Sequence, residues 1–149
     1  MILTVTLNPA LDLTYGVEVL VPHGTHRVVT VAERAGGKGL NVARVLRGVG
    51  EPVVATGLIG GSTGARVAEL LRDDGLHSQA FVAVAGATRR TVVVVDRDDA
   101  TGFWEPGPWV SGSEWLAFVA HFRGLLGMPR WWRCAGRCRR VCRSTGTRR

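Results

Sequence analysis

Apolar runs and helical repeats alternate along this chain. Ile2 to Leu7 reads as a buried strand, stopped by Asn8-Pro9. Leu11–Val21 and His26–Arg34, separated by Pro22-His23-Gly24, read as two β-rich arms that leave the sheet and return. Val42, Val45, Leu46 and Val49 then repeat at helical spacing, predicting a helix over Gly39–Val49 that packs this face and turns Asn41 and Arg44 the other way. Gly50-Glu51-Pro52 ends that helix and Val53–Leu58 forms a second strand. The glycine-rich segment 59–64 leads to a helix over Ala65–Asp74 with Val67, Leu70 and Leu71 inward, and Phe81–Val84 is a short strand. Val92–Asp96 and Thr101–Trp104 read as a hairpin turned by Arg97-Asp98-Asp99. Ser111 or Ser113 caps a last helix, with Trp115, Leu116, Val119, Phe122 and Leu126 expected inward. Alternating strands and helices predict an α/β protein with a parallel sheet, and the excursion between first strand and first helix suggests a lid.

Length and charge narrow this picture. At 149 residues one domain with a respectable core is expected. No secretory segment and no membrane-length apolar run is present, so a cytoplasmic protein is the expectation. The net charge of +7 is uneven: residues 128–149 hold eight arginines and no acid, leaving eleven basic against twelve acidic residues before them. A nucleic-acid partner would therefore rest on the tail alone and is not the expectation.

The candidate chemistry centres on Ala35-Gly36-Gly37-Lys38-Gly39-Leu40-Asn41. Eighteen of the nineteen basic residues are arginine and Lys38 is the only lysine, which marks it as a specific requirement. A compact ammonium in a glycine turn at a helix start suits an anion. A plain turn before a core helix is the alternative. The stretch is not a P-loop, since Ala32 and Gly39 replace its first glycine and final hydroxyl residue, and it lacks the third glycine of a dinucleotide fingerprint. Asp12 lies just beyond the first strand, where open α/β sheets place ligand-binding groups. It either accepts hydrogen bonds from sugar hydroxyls or caps a turn. Arg89-Arg90 either clamps a phosphate or guards an edge strand. The glycines at 60, 61 and 64 serve a nucleotide loop or merely close packing. His23 and His26 read as exposed loop residues, and no metal site is expected.

Four motifs in order, Leu3-Thr4-Val5-Thr6-Leu7-Asn8-Pro9-Ala10-Leu11-Asp12, Ala35 to Arg44, Thr88-Arg89 and Glu105-Pro106-Gly107-Pro108, resemble the N-terminal half of the 1-phosphofructokinase type of ribokinase-like (PfkB) sugar kinase, a group that includes tagatose-6-phosphate kinase. The likeness runs from Ile2 to about Leu126. It implies a truncated ribokinase-like, Rossmann-type α/β domain over 1–127, with a small β-sheet lid from about 11–34 and 88–105. It further implies that Asp12 and Asn41 bind sugar hydroxyls and that Gly36, Gly37, Lys38 and Arg89 hold the substrate and its phosphate. The activity implied is ATP- and Mg2+-dependent phosphorylation of a sugar phosphate, fructose 1-phosphate before tagatose 6-phosphate, with a homodimer formed through the lid. Thr91, Val93 and Trp104 depart from the pattern, standing where asparagine, lysine and asparagine are common.

The catalytic aspartate of that family lies in a Gly-Ala-Gly-Asp segment of its C-terminal half, and the 149 residues contain no such segment. No catalytic residue is therefore assigned. The expectation for the chain itself is an incomplete kinase, with a non-enzymatic product that keeps part of a sugar-phosphate pocket as the alternative. From Pro129 onward the chain is rich in Arg, Trp and Cys; Cys134, Cys138 and Cys142 recur every four residues without a zinc pattern. Back-translated with CGN arginine codons and read from each third base, this stretch permits Val-Ala-Leu-Cys-Gly-Ser-Leu-Pro-Pro-Gly-Val-Pro-Val-Asp. That resembles the strand and loop that family members carry next, and it points to a frame change near Gly127–Arg130.

Overall fold

The computed structural model describes residues 1–127; the basic segment 128–149, and the frame change placed at its start, lie outside the described residues. Two sheets share the first strand's exit. The first holds β1 (Ile2–Thr6), β4 (Val53–Ile59) and β5 (Gln79–Ala83), all parallel in the order β1-β4-β5. The second holds β2 (Ala10–Gly16), β3 (Thr30–Gly36), β6 (Arg89–Val95) and β7 (Ala100–Trp104) in the order β3-β2-β6-β7. In it β2 and β6 run parallel while β3 and β7 flank them antiparallel. The fold is the expected α/β class, with a parallel sheet and a smaller mixed one.

Three helices, α1 (Lys38–Gly48), α2 (Gly61–Asp73) and α3 (Gly112–Leu126), cover these sheets. Leu40 and Ala43 of α1 meet Val67 and Leu71 of α2, Ala55 of β4, and Leu11 and Ala35 of the second sheet in one core. The two sheets are thus joined through α1 and α2. A smaller cluster seats Phe118 of α3 on Leu58 and Val84, with Phe122 partly buried beside it.

Several elements differ from their sequence-based expectation. The arms are shorter than predicted, since β2 ends at Gly16 and β3 begins at Thr30. Helix α2 starts at Gly61 rather than Ala65, so Gly61 and Gly64 lie within it, and Gly64 is a packing position: a Cβ there would lie 2.9 Å from the Thr88 hydroxyl and 3.1 Å from Ile59. Helix α1 packs Leu40, Ala43 and part of Leu46, and leaves Val42, Val45 and Val49 exposed. Its inner face is interrupted by Arg44 and Arg47, so the apolar repeat is clearest on the wrong side. Helix α3 is corrected in the same way. Phe118 is its buried anchor, whereas Trp115, Leu116 and Leu126 are exposed.

Candidate functional site

The strand registers bring Asp12, Gly36 and Arg89 to one end of the second sheet, while Gly37, Lys38 and Asn41 follow at the start of α1. Leu11 and Ala35 pair across β2 and β3 and both enter the core, so Asp12, Arg34 and Gly36 face the other way. On β6, Arg89 stands opposite Ala10 and Thr91 opposite Asp12. Gly36, Ala10 and Arg89 therefore form one row, with Arg34, Asp12 and Thr91 as the next. Arg89 and Gly36 are two strand spacings apart, about 10 Å, the reach of a sugar phosphate between them.

Asp12 presses directly on Gly36. A Cβ at Gly36 would collide with the Asp12 carboxylate, so the aspartate keeps this position only beside a glycine and would have to shift beside any larger residue. Gly37 has φ +132°, a conformation that L side chains rarely adopt, and caps α1 with no side-chain hydrogen bond. The first turn of α1 contains no acid, and its first intrahelical bond runs from the Asn41 N–H to the Gly37 oxygen at 2.9 Å. The preceding N–H groups and the exposed Lys38 give this turn a positive end suited to an anion. Among the described residues, the Lys38 ammonium has no hydrogen bond or ion pair.

The paired arginines divide their work, as strand alternation requires. Arg90 is taken by Glu105: its guanidinium lies 2.7 Å from the carboxylate and its backbone N–H donates to it at 2.9 Å. This pairing raises the Arg90 pKa and lowers that of Glu105. Arg89 turns to the Asp12 face, where Nη1 donates to the Thr91 hydroxyl at 3.3 Å and the buried Nε has no partner. An unpaired buried guanidinium N–H is costly, and an anion would relieve it. The departure at Thr91 thus supplies a brace for the arginine.

Two contacts near this site were not legible from motifs. Asn8, just after β1, lies against Gly107, where a Cβ would come within 2.6 Å of its carboxamide, so this contact allows nothing larger than glycine at that point of the Glu105–Pro108 segment without a shift. Gly60 and Thr88 exchange hydrogen bonds, the Gly60 N–H donating to the Thr88 hydroxyl at 3.0 Å and the Thr88 N–H to the Gly60 oxygen at 2.9 Å. They fix the start of β6, and with it Arg89, on the first sheet. His26 stands outside the site and accepts the Val21 N–H at 2.8 Å; His23 is exposed.

An α/β domain with a parallel sheet and a smaller mixed one is the fold of the ribokinase-like structures that this chain matches. The pfkB family of carbohydrate kinases matches residues 5–108, and the chain belongs to that family. It is similar to a Thermotoga maritima protein described as a possible 1-phosphofructokinase, with 36% identity and a TM-score of 0.77 over 85% of this chain and 41% of the other. Phosphofructokinase-2 from Escherichia coli in complex with fructose-6-phosphate is 29% identical, with a TM-score of 0.75 over 85% of this chain and 41% of that one. The tetrameric inhibited form of the same Escherichia coli protein gives 29% and 0.74, over 80% and 40%. The chain spans about two fifths of the length of the structures it matches.

Proposed function

We propose that this chain supplies the sugar-phosphate side of an ATP-dependent kinase that converts fructose 1-phosphate to fructose 1,6-bisphosphate in the cytoplasm. The observation that carries this reading is the row Gly36–Ala10–Arg89 beside Asp12, which supports a carboxylate accepting sugar hydroxyls at one end and a guanidinium donating hydrogen bonds to a phosphate at the other. Asp12 and Asn41 bind sugar hydroxyls. The Gly36-Gly37-Lys38 turn and Arg89 hold the phosphate, and the second sheet, with the segments about 11–34 and 88–105, forms the lid. Tagatose 6-phosphate is the competing substrate, because Thr91, Val93 and Trp104 alter the usual surroundings.

These residues bind and orient rather than transfer. Mg2+ and ATP belong to the proposed reaction of the whole kinase, and no residue of this chain is assigned to either. Phosphoryl transfer depends on positioning and charge stabilisation, which the proposed reaction draws from family residues outside the shared two fifths. The isolated chain is accordingly expected to bind substrate without turnover. A lid-to-lid homodimer is the assembly we propose.

Calorimetric titration of the 149-residue chain with fructose 1-phosphate, tagatose 6-phosphate and inorganic phosphate tests the reading. Fructose 1-phosphate should bind tightest, and Arg89→Ala should weaken it roughly tenfold to a hundredfold, the worth of a charge-assisted bond. Equal affinity for free phosphate, or an unchanged Arg89→Ala variant, overturns it.

A further inference from the structure

Arg44 joins three elements through three nitrogens. Its Nε donates to Asp74, the residue capping the C-terminus of α2, at 2.6 Å; its Nη1 donates to Asn41 Oδ1 at 2.9 Å; and its Nη2 donates to the Ala35 oxygen at the end of β3. The side chain is only 11% exposed, although it belongs to a surface helix. We propose that Arg44 is a positioning residue of the sugar-phosphate site, fixing the carboxamide of Asn41 with its NH2 group outward and pinning the entry to the Gly36-Gly37 turn.

The chemistry leaves one orientation for the carboxamide. A guanidinium has no acceptor, so the Asn41 atom facing Arg44 is the oxygen. The NH2 group is left as the free end, and Asn41 meets its ligand as a donor. Asn41 therefore recognises a hydroxyl or phosphate oxygen through a lone pair, whereas Asp12 receives hydroxyl protons. The Ala35 carbonyl immediately precedes Gly36, against which Asp12 is packed, so one guanidinium orders both sugar-binding positions. Lysine at position 44 has the charge but not the planar fork, and it cannot reach three acceptors on different elements in fixed directions. This inference rests on the reading of Asn41 as a sugar ligand.

The chain contains two asparagines and one glutamine, so the side-chain amide region of a 15N spectrum holds only three pairs of signals. Asn41→Asp assigns the pair of interest by its disappearance. Arg44→Lys should shift and broaden that pair in the free protein and weaken fructose 1-phosphate binding roughly tenfold, the worth of an ordinary hydrogen bond. Asn41→Asp keeps an acceptor for Arg44 but loses the outward donor, and should weaken binding similarly. The double variant should lose little more than either single one, since coupled residues are non-additive. Asp74→Asn loosens the clamp from its far end and serves where Arg44→Lys fails to fold. An unmoved Asn41 amide pair, unchanged affinity in the loosened variants or additive losses overturns the clamp while leaving the substrate reading intact. No binding of fructose 1-phosphate by the unaltered chain overturns the substrate reading and, with it, the clamp's role.

Discussion

Gly37 and Gly36 are adjacent, yet the chain needs glycine at each for a different physical reason. At Gly37 the backbone φ of +132° strains any other residue, and an added Cβ would also lie 2.5 Å from the Thr6 methyl. Gly37→Ala is expected to cost about 1–3 kcal/mol of stability, read as a lowered thermal midpoint. At Gly36 the backbone is unremarkable and the neighbour decides: a methyl group there displaces the Asp12 carboxylate. Gly36→Ala should weaken fructose 1-phosphate binding in the same direction as Asp12→Ala, by paired calorimetric titrations, because it moves the group that Asp12→Ala removes. The sequence marked both glycines, Asp12 and Arg89 as candidates because their motifs are local, and the strand registers bring Asp12, Gly36 and Arg89 to one end of a sheet. Arg44 was not so marked. An arginine on a helix reads as solvent-facing, and its partners Asp74 and Ala35 lie thirty and nine residues away.

At the scale of elements, order and type were legible while facing was not. Strands announced themselves by β-branched runs and turns by Gly and Pro. Helix α3 shows the limit, because its apolar residues surround the helix and only tertiary packing chooses Phe118 as the anchor. Phe118→Ala should therefore cost about 3–5 kcal/mol, whereas Leu116→Ala should change little, by denaturant unfolding. The turn between β6 and β7 carries a different dependence. Asp96 accepts the backbone N–H groups of Asp99, Leu20 and Asp98 at 3.0, 2.9 and 2.9 Å, which lowers its pKa from 3.8 to about 2. The folded value lies below the unfolded one, so this stabilisation is full above about pH 4 and is lost as pH falls toward 2. Amide exchange at Leu20, Asp98 and Asp99 should quicken over that window relative to other turns, and Asp96→Asn should abolish the change.

Over the whole molecule, apolar surface lies where a closed α/β domain would bury it. Parallel sheets in α/β proteins have both faces covered and their edges managed. Among the described residues β1 pairs only with β4, and Ile2, Val5 and Leu7 along and after it are 38–45% exposed. The valine stripe of α1 is open as well, with Val42 at 51%, Val45 at 67% and Val49 at 71%. Exposed contiguous apolar surface drives association. The described body has no compensating excess of charge, because the eleven basic and twelve acidic residues before position 128 nearly cancel. The chain alone is therefore expected to self-associate, with scattering that rises with concentration. A double replacement, Val42→Glu with Val45→Lys, should reduce that scattering while leaving the core of Leu40 and Ala43 untouched. The same pair of substitutions should leave fructose 1-phosphate affinity unchanged, since neither residue belongs to the proposed site. A monodisperse monomer in the unaltered chain, melting sharply and unaffected by the double replacement, would show that this surface is tolerated in water and that the open strand edge is not what governs its behaviour.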